Sequence, residues 1–404
     1  MQTPQQTVSP YRYVVGGLIV FLNFSIGLSF FAVSPLLPLV IDDCSVSRTL
    51  ASLLMSLVIL VQAIFSIPGG VLAARLDKKL TLGVGALLCS SMGLSWLAGG
   101  FGVLLALRVV YGLGMAVVWP VTGPLIMQWF TSRDRPLWNS LSMAACSSGM
   151  AVSMFIAAPL AEPLGWRGSL SVLSIASLAG TVLWLLFGRS ADRPRVAQVR
   201  FSSREIVATL FCRSTLLIGV ADAFCYALYS ALTSWLPTYY NEVRGMALTQ
   251  VGLITGFLPF AGMLAVLAGG ALAVKFQRRK PLLVLPGLFI GLAGFGSFLS
   301  SDLTLIYASV LLLGFVSWFW CPILFVIPME LEGATPSGVA MTWGMVGTLT
   351  CTMAFVSPLT VGAMTDALGS YIPGFSLWAG LSYCFLLAVL LLPETGRSAE
   401  AHPA

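Results

Sequence analysis

The sequence predicts an all-α membrane protein with twelve transmembrane helices in two pseudo-symmetric six-helix bundles. Three observations predict it. Of 404 residues, 58% are hydrophobic and only 9% are charged, where a soluble domain carries roughly a quarter charged. The apolar residues form runs long enough for a bilayer crossing, which needs about 20 residues. The second half of the chain repeats features of the first at an offset near 200 residues. No water-soluble fold could hide this much apolar surface, so the solvent is lipid.

The predicted helices run over 14–40, 49–74, 80–99, 102–130, 138–161 and 168–188, then 207–237, 249–274, 281–300, 303–329, 337–365 and 374–392. The opening stretch MQTPQQTVSPYRY lacks the charged start of a cleaved signal. The first apolar run, Val14 to Val40, is therefore expected to be retained as a helix. The segment RSADRPRVAQVRFSSRE (189–205) is the longest non-apolar interior stretch. It divides the chain into an N-terminal bundle (1–188), a central loop (189–206) and a C-terminal bundle with a short tail (207–404).

Basic residues orient the bundle. Of twenty-one Lys and Arg, only Arg48, Arg167 and Arg244 fall in loops on one side, and Arg108 lies within a helix. The remaining seventeen fall on the side of the chain ends, among them Arg75, Lys78, Lys79, Lys275, Arg278, Arg279 and Lys280. Cytoplasmic loops carry such an excess. Both termini are therefore expected in the cytoplasm, and the protein in the plasma membrane (the inner membrane, if bacterial). The clustering of charge between apolar runs also makes the net charge of +6 a topology signal and excludes nucleic acid as a partner.

The repeat has two parts. Gly69-Gly70-Val-Leu-Ala-Ala-Arg75-Leu-Asp77-Lys78-Lys79 closes helix two, and Gly269-Gly270-Ala-Leu-Ala-Val-Lys275-Phe-Gln277-Arg278-Arg279 closes helix eight. On helices four and ten, Gly112, Pro120 and Met127 correspond to Gly314, Pro322 and Met329. Parallel repeats of six helices build the halves of major-facilitator transporters.

The residues that carry the resemblance to that family are spread along the chain. The loop GGVLAARLDKK resembles the family signature between helices two and three, through Gly70, Arg75, Lys78 and Lys79. Ala74 stands where the family usually has Asp, and Asp77 where it has Gly. Arg108, Gly112 and Gly114 resemble its Arg-x-x-x-Gly-x-Gly motif on helix four. Leu164-Gly165-Trp166-Arg167 and Leu392-Pro393-Glu394-Thr395 are also similar to family sequences. The resemblance implies alternating access about a central site. It implies gating roles for Gly70, Arg75, Asp77, Lys78, Lys79 and Glu330, and a substrate or coupling role for Arg108. The glycine–proline signature of many drug/proton antiporters is not evident on helix five.

Ionisable groups within a bilayer are costly and mark functional sites. Asp222 lies midway along helix seven, on a face with Thr215, Tyr226, Tyr229 and Thr233. It is the expected proton-coupling group and a substrate contact, because a low dielectric favours the uncharged acid; a helix–helix hydrogen bond is the competing role. Arg108 shares a face with Tyr111, Met115 and Trp119. It is a second substrate candidate, set against a structural bond to carbonyls of an unwound helix. Trp119, Tyr226, Tyr229, Trp318, Trp320 and Trp343 complete an aromatic set suited to a cation or a flat apolar solute, set against ordinary packing. Asn23 and Gln62 are polar candidates on helices one and two. Glu330 and Glu332 end helix ten and are candidate gate charges.

Eight cysteines show no metal-type spacing, and the only histidine, His402, is in the tail. No metal or cofactor is expected, and no cluster of reactive groups suggests an enzyme. The expected function is proton-coupled symport of a small organic metabolite or ion by a monomer. Drug or metabolite efflux is the alternative; a membrane sensor and a channel rank below it.

Overall fold

The structure is a computed structural model, and it describes residues 10–131, 134–190, 212–276, 278–331 and 336–395. The side chains of residues 66–75, 136, 274, 336–338, 340 and 341 are outside that description. Every regular element among the described residues is a helix. Among the described residues, eleven segments are long and apolar enough to cross a membrane. One of them, Leu137–Phe187, is 51 residues long, far more than one crossing needs. It bends at Gly165, whose φ of 69° is non-helical, and so supplies two crossings. That gives the twelve predicted.

The first half begins with α1 (Tyr11–Phe30), which stops ahead of Pro35 and Pro38. A proline cannot donate to the preceding turn. The chain passes through a 3₁₀ turn (Ser34–Leu36) into α2 (Leu37–Cys44) and ends that crossing at Ser45. Then come α3 (Arg48–Arg75) and α4 (Lys78–Cys89). Helix α4 is N-capped by the Asp77 carboxylate and tightens into 3₁₀ geometry over Ser90–Leu97. The half closes with α5 (Phe101–Trp129) and the bent α6 (Arg135–Phe187).

The second half comprises α7 (Arg213–Glu242), α8 (Leu248–Lys275), α9 (Lys280–Leu299), α10 (Leu303–Phe319) and α11 (Cys321–Glu330). It ends with α12 (Pro336–Leu368), α13 (Ile372–Leu381) and α14 (Tyr383–Leu391). The predicted helix 207–237 is displaced: α7 starts at Arg213 and runs through Pro237 to Glu242. Cys212, read from sequence as part of an apolar run, is therefore the exposed N-cap of α7.

Backbone geometry repeats with the sequence. Among the described residues, four have φ in the left-handed region: Ser45 (50°), Gly165 (69°), Gly245 (65°) and Gly369 (69°). Ser45 and Gly245 close the first crossings of the two halves, and Gly165 and Gly369 join the last two crossings of each. Close packing repeats as well. A Cβ on Gly112 would come within 3.0 Å of the Val58 carbonyl, and one on Gly314 would run into the Leu258 carbonyl. Each half thus seats its fourth crossing directly on its second, through a residue without a side chain. Serines tie helices within each half: Ser177 donates to the Ser25 carbonyl (2.6 Å) and Ser230 to the Ala354 carbonyl (3.0 Å).

The two halves meet where α3 packs on α12 and where the first part of α6 packs on α8. Phe155 and Phe257 touch edge to face across that second seam, with centroids 5.6 Å apart. The outer surface shows leucines such as Leu186 (66% exposed) and Leu387 (60%), the composition that lipid tails require.

Candidate functional site

The ends of the bundle differ. One, here the basic face, carries Lys78, Lys79, Arg135, Arg279 and Lys280; the opposite face carries Asp42, Asp43, Glu242 and Asp302. The mid-depth side chains and the links between halves form the candidate transport site and its gates.

Asp222 sits on the second half's first crossing, α7, and is partly buried. Its carboxylate accepts a short hydrogen bond from the Thr350 hydroxyl of α12. One turn on, Tyr226 stacks with Tyr229 (6.1 Å, 26° between planes). Trp318 of α10 stands perpendicular to both rings, 5.9 Å from Tyr226 and 5.6 Å from Tyr229, at 87° in each case. Edge-to-face contact of this kind is the favoured arrangement of aromatic quadrupoles. Tyr226 and Trp318 keep part of their surface open, whereas Tyr229 is buried. Phe31, at the break after α1, packs on Tyr229 from the other half (6.4 Å). Asp222 and an aromatic wall therefore stand together beside the seam between halves.

Arg108 is placed differently. It is 1% exposed, and it donates to the Ser29 carbonyl (3.1 Å), the Phe30 carbonyl (3.0 Å) and the Met55 sulfur (3.5 Å). Tyr111 adds a bond to the Ile26 carbonyl (2.9 Å). The last carbonyls of a helix have no partners within it, and α1 ends in apolar surroundings. Arg108 supplies partners for Ser29 and Phe30 while Tyr111 braces the same end of α1 at Ile26, and no ion pair joins Arg108 to Asp222 among the described residues. Farther along the same face of α5, Trp119 is 46% exposed. The face is covered at Arg108 and open at Trp119.

The other predicted site residues separate. Trp320 is buried, donates from its indole to the Cys225 sulfur (2.9 Å) and packs on Phe385. Trp343 stacks flat on Phe325 (3.9 Å, 8°) toward the basic face. Asn23 donates to the Ile19 carbonyl of its own helix (2.9 Å). Sequence reasoning missed Thr350, because the rotation of α12 about its axis is not written in a linear pattern.

Among the described residues, the pairs on the basic face stay within halves. Arg279 makes a two-pronged pair with Glu330 (2.7 and 3.2 Å), and Glu394 accepts from the Arg279 and Lys280 backbone N–H groups (2.7 and 3.1 Å). Asp77 accepts from the Leu80 N–H (2.9 Å) and from the Ser190 hydroxyl. Lys78 and Lys79 form the first turn of α4, where the Trp184 indole donates to the Lys79 carbonyl (2.9 Å). The side chain of Arg75 and the surroundings of Gly70 lie outside the described residues, as do Glu332 and His402.

The opposite face instead clamps the halves together. Arg48, at the start of α3, pairs with Glu242 at the end of α7 (2.7 Å) and donates to the Tyr371 hydroxyl (2.8 Å), which donates to Glu242 (2.8 Å). Asp366 of α12 accepts from the Arg48 and Thr49 N–H groups (3.2 and 2.8 Å) and from the Thr49 hydroxyl (2.6 Å). Deeper down, Ser34 donates to the Thr233 carbonyl (2.5 Å).

Two packed helical halves, with a polar, aromatic-lined group at mid-depth and charged clusters at both ends, define a membrane transporter. The sequence model of the Major Facilitator Superfamily matches residues 19–358, and the chain belongs to that superfamily. It is 26% identical to the hexuronate transporter of Bacillus subtilis, over 95% of this chain and 94% of that protein. It is 25% identical to the probable sulfoacetate transporter of Cupriavidus necator, over 94% of each. Among solved structures, it superposes on a bacterial homologue of the human lysosomal transporter Spinster, in an inward-facing and unoccupied conformation. There the TM-score is 0.73 and the identity 15%, over 95% of both chains.

Proposed function

We propose that this protein is a proton-coupled secondary transporter of a small organic acid. The two halves, divided within 189–206, rock about the site beside Asp222. The observation that carries the reading is the Asp222 carboxylate itself: inside a crossing helix, beside an aromatic wall that reaches the seam, and bonded to a hydroxyl group instead of a cation. A carboxylate so placed can take up and give back a proton without breaking an ion pair. The names of the relatives support the acid class, since hexuronate and sulfoacetate are carboxylates. The clamp at the opposite face and the self-contained pairs of the basic face fit a state open toward the basic face. The excess of positive charge there fits the cytoplasm, with a monomer in the inner membrane as the working unit.

Flux in proteoliposomes tests it. A pH gradient, acid on the uptake side, should drive accumulation of a labelled organic acid, with glucuronate, sulfoacetate and benzoate as the trial solutes. Asp222→Asn should abolish that accumulation and leave solute exchange at equal pH in place. Proton-driven uptake that persists in the variant would remove Asp222 from the mechanism.

A further inference from the structure

Resting on the acid-transporter reading, we infer that the solute is a flat, ring-bearing monocarboxylate that binds together with one proton, shared between its own carboxylate and Asp222. Three features of the site lead there.

The first is charge. An incoming carboxylate needs a positive partner or a proton. Arg108 is the one cation among the described residues that lies well inside a crossing, toward the opposite face, and its guanidinium is buried against the carbonyls of Ser29 and Phe30. The group that borders the open aromatic surface is an acid. Two carboxylates share a site only when a proton lies between them, since one of the pair cannot ionise beside the other. Proton and solute then enter as a pair whose charges cancel.

The second is the hydrogen-bond pattern at Asp222. Thr350 donates to one carboxylate oxygen. The second oxygen remains for the shared proton, so an Asp222 O–H can donate to the solute carboxylate while the Thr350 bond stays intact. Among the described residues, the other titratable groups that face Asp222 are the Tyr226 phenol and Cys225 on its own helix, Cys321 on α11 and Cys351 on α12. Thiols and phenols ordinarily titrate above neutrality, so the carboxyl pair is the proton's natural place.

The third is shape. Tyr226 follows Asp222 by four residues, one helical turn, or roughly 5–6 Å along α7. A ring attached directly to the bound carboxylate falls at that distance, against the open parts of Tyr226 and Trp318. Those two rings are already fixed at right angles, with Tyr229 behind them. They offer a preformed face and edge to a planar guest.

Binding to the purified protein in detergent tests all three, with benzoate as the ring acid, cyclohexanecarboxylate as its puckered counterpart and glucuronate as a polar acid. Tryptophan fluorescence reads binding. A pH indicator in weakly buffered, near-neutral solution reads the proton. Benzoate should bind about fivefold more tightly than cyclohexanecarboxylate, the size of one aromatic contact. It should take up about one proton per molecule bound. Asp222→Asn, whose amide always donates, should bind benzoate without proton uptake. Trp318→Leu should erase the preference for the flat ring while still binding cyclohexanecarboxylate, which shows that it is folded. Equal affinity for the two ring acids, or benzoate binding without proton uptake in the parent protein, would overturn the inference. Glucuronate binding with benzoate excluded would also overturn it, yet would leave the acid-transporter reading standing, because that reading asks only for proton-driven flux of an organic acid.

Discussion

Arg108 shows how one residue can be read correctly in type and still be open in role. The sequence marks it as a costly intramembrane charge; its surroundings make it the cap of α1. Removing it leaves two buried carbonyls without partners, at about 1–3 kcal/mol each. Arg108→Met should therefore lower the melting temperature in detergent by several degrees, with Arg108→Lys recovering part of the loss. A melting curve unchanged in the Met variant would contradict the capping role. Asp77 offers a second test at this scale, outside the membrane. Burial pushes its carboxyl up, but hydrogen bonds from Ser190 and from the Leu80 and Lys79 N–H groups outweigh this and hold it below its ordinary value. Its stabilising effect is then present above the usual carboxylate range and lost as pH falls through the depressed value. Asp77→Ala should cost about 1 kcal/mol at neutral pH and nothing in strong acid, as read by unfolding at the two pH values.

Among the elements, α3, α7 and α12 carry the clamp between halves. Glu242 binds both Arg48 and Tyr371, so Glu242→Gln weakens two charge-assisted contacts at once. A loss of about 2 kcal/mol shifts a two-state balance about thirtyfold. Spin labels at Asp42 and Val243, on either side of the seam, should then show a longer distance population at the opposite face. A distance distribution identical to that of the parent would mean that the clamp does not bias the conformation. The elements also show the limit of periodicity. Apolar run lengths place α3, α5, α8 and α9 within a few residues. They miss the end of α7, because Pro237 looks like a stop and is instead carried within the helix.

At the scale of the whole molecule, the fold was legible and the site only partly. Lipid solvation forces apolar runs, and duplication leaves matched stretches on helices two and eight and on helices four and ten, so helix number and two-fold plan are written in the chain. Asp222 is marked by its charge, but its depth moves with the displaced helix: midway along the predicted 207–237, it is the tenth of the 30 residues of α7 and closer to the basic face. Its partner Thr350, 128 residues away, depends on how α7 and α12 rotate against each other, which packing decides. The Arg48–Glu242 pair spans 194 residues and reads in sequence as two loop charges. The wall of Tyr226, Tyr229 and Trp318 could be listed as aromatic but not assembled.

Ser45 carries a further meaning. Its duplicate position in the other half is Gly245, which adopts the same left-handed corner without strain, whereas a serine there gives up about 1–2 kcal/mol. Ser45→Gly should raise the unfolding midpoint, and an unchanged or lowered one would show that the hydroxyl compensates in full. The two halves thus build the same left-handed corner from different residues, and a glycine at position 45 would make the pair alike.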